Sequence, residues 1–159
     1  DVYKRQPSVI ELVKKSGYPG MKILQFAFDS REESDYLPHN YTHNCVVYTG
    51  THDNDTVMGW YDTLKGADKK LCDDYLRLKN ADGEPIPREQ LPWEFVRAAM
   101  SSVADLAIIP MQDYLGLGSE ARINIPSTLG INWKWRMGNG DFTKELAGRI
   151  RSMTKLYGR

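Results

Sequence analysis

The sequence predicts an α/β domain with a parallel sheet, and three observations carry that reading. Three short apolar runs, Met21–Phe28, Cys45–Tyr48 and Leu106–Ile109, are nearly continuous rather than alternating, as strands covered on both faces are. Segments with apolar residues at helical spacing separate them. Polar and acidic residues follow each run, where parallel α/β folds carry their sites. Three strands are too few for a closed barrel or a stable open sheet, so either further strands lie unrecognised in this sequence or the chain is part of a larger domain.

Pro7 to Ser16 reads as a helix, with Pro7 in the first turn and Val9, Leu12 and Val13 on one face. Gly17 supplies its stop, and Pro19 follows. After the first run, Asp29 to Asn44 is polar and contains Pro38, His39 and Asn40, so it reads as a long loop, a feature often tied to function. The cluster Thr51-His52-Asp53-Asn54-Asp55-Thr56 follows the second run and leads into Val57, Trp60, Tyr61 and Leu64 at helical spacing. Further helices are expected over Ala67 to Asn80, around Trp93, Val96, Met100 and Val103, and from about Thr143 to Tyr157. Asp141 or Thr143 is the expected cap of the last helix, and Leu146, Ile150, Met153 and Tyr157 form its apolar face. Met111 to Ser127 reads as mostly loop, and Gly130 to Gly140 is aromatic and glycine-rich.

Composition narrows the function. The 159 residues carry 21 lysines and arginines against 21 aspartates and glutamates, and this neutrality speaks against a nucleic-acid partner. With 41% hydrophobic and 11% aromatic residues, the chain is not a disordered acidic tail. No apolar run approaches the ~18 residues that span a bilayer, so no membrane association is expected. The first residues show no apolar signal segment, and a cytoplasmic location is the expectation. Cys45 and Cys72 read as two buried free thiols. Nine tyrosines, four tryptophans and four phenylalanines near polar residues and turns suit ligands with apolar faces and hydroxyl edges, as sugars have, although aromatic rings also serve cores.

The residues after each run are Asp29, then His52, Asp53, Asn54 and Asp55, then Gln112 and Asp113. Such a rim can bind a polyol, and it can equally cap helices. Asn54, Asp55 and Thr56 suit capping, whereas His52 and Asp53 lie closer to the strand end and are the better ligand-facing candidates. His39 and His43 are four apart, but Pro38 and the loop composition argue against one helix face, so no metal site is expected. Gly116 and Gly118 lack the Gly-Lys-Ser/Thr of a phosphate loop, and no Gly-x-Ser-x-Gly elbow is present.

The segment Thr49-Gly50-Thr51-His52-Asp53-Asn54-Asp55-Thr56 closely resembles the 4-α-glucanotransferases known as amylomaltases or disproportionating enzymes. The resemblance extends over Gly17-Tyr18-Pro19-Gly20-Met21-Lys22-Ile23-Leu24-Gln25-Phe26-Ala27-Phe28 and Leu37-Pro38-His39-Asn40-Tyr41. It continues over Leu117-Gly118-Ser119-Glu120-Ala121-Arg122-Ile123-Asn124 and Asn132-Trp133-Lys134-Trp135-Arg136, and covers about Pro7 to Arg159. It implies the C-terminal portion of a (β/α)₈ TIM barrel, an incomplete barrel made of the last three strands with their helices.

The family moves α-1,4-glucan segments between maltooligosaccharides by a retaining double displacement that uses two carboxyl groups and no cofactor. The resemblance assigns Asp53 as transition-state stabiliser. It assigns His52 to binding the same sugar. Phe26 and Asp29, which end the first strand, and Asn124 with Trp133 in the late aromatic loop are the further substrate-binding candidates, some of them expected to line the groove with Trp133 as a stacking platform. For Trp133 and Trp135 the competing reading is packing against the last helix. The family's nucleophile and its acid/base glutamate lie upstream, the latter in an Ala-Glu-Asp-Leu-Gly motif. Here Asp1-Val2-Tyr3-Lys4-Arg5-Gln6 stands instead and reads as a sequencing or assembly remnant, residues 7–159 being the barrel portion. Both groups are therefore expected to be absent from this chain, which alone would be inactive. A related α-glucan hydrolase and a non-catalytic sugar-binding module are the alternatives.

Overall fold

The structure is a computed structural model that describes residues 6–159. Of the hexapeptide set apart above, Asp1 to Arg5 lie outside the described residues. Three strands, β1 (Gly20–Ile23), β2 (Cys45–Tyr48) and β3 (Leu106–Ile108), form one parallel sheet in the order β1-β2-β3. The helices are α1 (Pro7–Ser16), α2 (Val57–Thr63), α3 (Gly66–Leu76), α4 (Leu91–Met100), α5 (Met111–Tyr114) and α6 (Lys144–Leu156). The connection from β2 to β3 runs through α2, α3 and α4, as a parallel crossover requires.

Local chemistry sets the element ends. Gly17 closes α1 with φ 69°, a left-handed conformation that glycine adopts without steric cost. Thr56 caps α2, its Oγ1 accepting from Gly59 N at 3.0 Å. Thr143 caps α6 in the same way through Leu146 N, while Asp141 Oδ2 accepts from Gly138 N and closes the preceding turn instead. Leu146, Ile150, Met153 and Tyr157 are all half-buried, so the apolar face expected for α6 does turn inward. Arg159 then ties the chain end to α4 and the segment after it, donating to the carbonyls of Met100, Ser102 and Ala104.

The first apolar run is not one strand. β1 stops at Ile23, and Leu24–Phe26 form a 3₁₀ turn that Ala27 N closes onto Leu24 O. A run that is apolar at every position fits a two-faced strand, but it also fits a turn that sends successive side chains in different directions. Leu24, Ala27 and Phe28 enter the helical core, whereas Phe26 stays 47% exposed. The main core gathers these residues with Val57, Met58, Leu76 and Phe95 from α2, α3 and α4, and the rings of Trp60, Tyr75 and Phe95 surround Phe28.

The sheet has two unlike faces. Cys45, Val47 and Ala107 pack with Tyr41, Ala99 and Ala104 on the helix side. The register aligns Ile23, Tyr48 and Ile108 across the opposite face, with Met21, Val46 and Leu106 one pair earlier. Val47, which precedes Tyr48 in β2, belongs to the helix side instead, because strand side chains alternate. The expectation that every strand is covered on both faces fails for the described residues: Met21, Leu106 and Ile108 remain 56%, 51% and 42% exposed. Cys45 and Cys72 are buried free thiols, as expected. None of the described helices is long and apolar enough to cross a membrane.

Candidate active site

An open cleft of about 810 Å³ lies over the exposed sheet face, beyond the C-terminal ends of the strands. Its apolar floor includes Ile23, Tyr48 and Ile108, and its rim includes Phe26, His52 and Asp53.

The segment between β2 and α2 is tied into a tight turn. Asn54 N donates to Thr51 O, and Asn54 Oδ1 accepts from both Thr51 N (2.9 Å) and Thr51 Oγ1 (2.7 Å). Asn54 is thus the lock of this turn, while the capping task falls to Thr56. With their neighbours so occupied, the side chains of His52 and Asp53 stand clear, each about half exposed. His52 Nε2 lies 3.4 Å from Asp53 Oδ1, and Asn124 Nδ2 donates to the same oxygen at 2.6 Å.

The later loop is sewn to this turn. Asn124 N donates to His52 O, and Arg122 donates to Asp53 O at 2.7 Å and to Asn124 O at 2.9 Å. Trp133 N reaches back to Ile123 O, and the Trp133 ring lies against His52 with centroids 5.1 Å apart and planes tilted by 36°. The backbone of Trp133 is left-handed, with φ 64°, which costs an L residue on the order of 1 kcal/mol. Arg136 offsets part of that strain by donating to the carbonyls of Trp133 and Trp135. Trp133 stays 56% exposed beside His52, a position that separates it from a core packing residue.

His52, Asp53, Asn124 and Trp133 are therefore brought together, and Phe26 shares the cleft. Asp29 is not among the cleft-lining residues. Both of its carboxylate oxygens accept from the Arg31 guanidinium, at 2.8 and 2.7 Å. Arg122, which ties the turn to the loop, was visible beforehand only as one letter of a longer match. A single arginine in a loop has no spacing signal.

Asp113 departs from its expected place on the polar rim. It is 1% exposed, with Oδ2 accepting from Thr49 Oγ1 at 2.5 Å and Oδ1 from Val57 N at 2.8 Å. Gln112 is buried as well and donates to Ala121 O. Burial pushes the Asp113 carboxyl up to about 6, the nearby Asp55 charge adds to this, and the two donated bonds oppose it. The folded state then holds this proton more tightly than the unfolded chain, which titrates near 3.8. The stability that the protonated group contributes is present below about pH 4 and is lost as pH rises to about 6. The full span is at most about 3 kcal/mol, at roughly 1.4 kcal/mol per unit. Asp113→Asn should remove that part of the pH dependence. Urea midpoints for both proteins between pH 4 and 7 check it, and parallel curves would contradict it.

Among the described residues, no group of three or more His, Cys, Asp and Glu side chains is placed to hold a metal ion. His39 instead shares a hydrogen bond with the Tyr75 hydroxyl at 3.0 Å.

The sequence model of the family described as 4-alpha-glucanotransferase matches residues 4–141. This chain belongs to the 4-alpha-glucanotransferase family. The chain is 49% identical to the 4-alpha-glucanotransferase of Clostridium butyricum over 151 residues, which is 94% of this chain and 30% of that protein. It is 46% identical to the Thermus thermophilus 4-alpha-glucanotransferase over 153 residues, again 94% of this chain and 30% of the relative. Among solved structures, it is similar to the amylomaltase of Streptococcus agalactiae in complex with acarbose. The TM-score is 0.85 at 35% identity, over 97% of this chain and 30% of the other. The amylomaltase of Corynebacterium glutamicum shares the fold at 13% identity, with a TM-score of 0.69 over 97% of this chain and 28% of the other. The chain thus spans about 30% of the length of these curated glucanotransferases.

Proposed function

We propose that this chain is the C-terminal barrel portion of a 4-α-glucanotransferase that passes α-1,4-glucan segments between maltooligosaccharides. The observation that carries the reading is the Asp53 carboxylate, held by Asn124 Nδ2 and next to His52 Nε2, at a cleft mouth beyond β2. The family membership supports it, and so does the acarbose complex of the Streptococcus agalactiae relative.

In this reading two other carboxyl groups, contributed from outside residues 7–159, perform the covalent steps. A carboxylate attacks the anomeric carbon while a glutamic acid protonates the departing glycosidic oxygen. The resulting glycosyl-enzyme is then attacked by an acceptor hydroxyl, whose proton returns to the glutamate. Asp53 accepts hydrogen bonds from hydroxyls of the reacting sugar, and these strengthen as the ring gains positive charge. His52 donates a further bond to the same sugar. Asn124 keeps one Asp53 oxygen in place and leaves the other for the sugar. The remaining strands of a (β/α)₈ barrel would cover the face that exposes Met21, Leu106 and Ile108. The reaction needs no cofactor, and the cytoplasm is the proposed compartment.

Trp133 then acts as a stacking platform. Loss of a ring contact of about 1 kcal/mol in Trp133→Ala should raise KM for acceptors about fivefold and leave kcat within about twofold. Unchanged kinetics with long and short acceptors would remove Trp133 from the site. The function itself is tested by incubating the full-length protein with maltotriose. A ladder of longer maltooligosaccharides plus glucose is expected. Shorter products alone would mark a hydrolase, and no turnover a binding module.

A further inference from the structure

The segment that carries His52 and Asp53 is fastened at both ends to a single side chain. Asp113 accepts from the Thr49 hydroxyl, where β2 ends, and from Val57 N, where α2 begins. It is donated by α5, just after β3, so the strut runs between neighbouring strand ends. Two further bonds hold the middle of the segment: Gln25 Nε2 to Asp55 O at 2.8 Å, and Ser119 Oγ to Asp55 Oδ2 at 2.6 Å. The packing has little slack. A Cβ on Gly50 would lie 2.5 Å from Gln25 Nε2, and one on Gly59 would lie 2.3 Å from Ser119 Oγ.

Capping alone does not account for Asp113, since Thr56 already caps α2. Nor is Asp113 among the residues that line the cleft, and at 1% exposure it does not present its carboxylate there. What it does is join the two ends of one turn through a carboxylate that accepts at both oxygens, deep in the protein, where an unpaired charge would be costly.

We infer that Asp113 is a positioning residue for glucan transfer, fixing through Thr49 and Val57 the turn that presents Asp53. This rests on the reading of Asp53 given above and adds a group that acts without touching substrate. Slack in the turn lets the Asp53 carboxylate leave the place where sugar hydroxyls need it in the transition state. Ground-state contacts made by Phe26, which lies on a separate segment, are untouched, so most of the loss falls on kcat.

The test uses transfer kinetics of the full-length protein with maltotriose. Thr49→Val removes the hydroxyl at constant size and should lower kcat about twentyfold with KM within twofold, and Thr49→Ser should recover most of that loss. Asp113→Ala should lower kcat at least as much, and combining it with Thr49→Val should add little, because both break the same strut. If Asp113→Ala does not fold, the Thr49 pair decides alone. Equal behaviour of Thr49→Val and Thr49→Ser, matched changes in kcat and KM, or multiplying losses in the double variant would overturn the inference. A wild-type protein without transfer activity would overturn the proposed function and this inference with it. An active wild type without these losses would overturn only the latter.

Discussion

In the full-length protein, Asp53→Asn is expected to lower kcat for glucan transfer about 10³-fold, or about 4 kcal/mol, while KM for maltotriose moves less than about threefold. The amide is nearly isosteric, so the bond from Asn124 and the shape of the cleft mouth can survive. What disappears is the negative charge facing a ring that becomes cationic only on the way to reaction. An interaction present mainly in the transition state shows in kcat and not in binding. Steady-state kinetics of the two proteins would read this out. A loss shared equally between kcat and KM would mean that Asp53 merely binds sugar.

The second large effect concerns residues 7–159 expressed alone. This segment is expected to collect in the insoluble fraction, to show no cooperative thermal transition and to give no transfer from maltotriose. β1 and β3 both present an unpaired strand edge among the described residues, and the sheet face between them exposes Met21, Leu106 and Ile108. Unprotected edges beside apolar side chains are sites of aggregation. The helical side, with Phe28, Phe95 and Leu24 buried, can keep its packing, so collapse without a unique sheet is the expected state. A soluble product with a sharp unfolding transition would contradict the stability claim. Measurable transfer would mean that the covalent carboxylates lie within these residues.

Where the sequence could be read, the physics was local. Cys45–Tyr48 is a strand bounded by Asn44 and by Thr49-Gly50, and its limits are those expected. Val57 opens a helix because Thr56 can cap it, and Gly17 ends one because it tolerates a left-handed backbone. What escaped depends on contacts distant in sequence. The turn at Leu24–Phe26 has the same apolar letters as a strand, and only its two environments, helical core and cleft, separate Leu24 from Phe26. The face that Val47 takes is likewise not legible in a four-residue strand, because its phase is fixed by its partners. Asp113 looked like a rim residue because an acidic letter after a strand does not say whether it will be buried, and its partners Thr49 and Val57 are 64 and 56 positions away. For the site, His52 and Asp53 are marked by their place after β2, whereas Asn124 and Trp133 are marked only by lying in a late aromatic loop. Their approach to His52 and Asp53 depends on a loop about 70 residues further along the chain.

Transfer and hydrolysis differ in one conserved quantity, the number of glycosidic bonds. The decisive measurement incubates the full-length protein with maltotriose and isotopically labelled glucose, following label in the oligosaccharides together with total reducing ends. A glucanotransferase built around Asp53 will move label into maltose and longer chains while reducing ends stay constant, and Asp53→Asn will slow that incorporation about 10³-fold. Reducing ends that rise without label entering the chains would contradict the transferase reading, and label uptake at the wild-type rate in Asp53→Asn would contradict the role of Asp53.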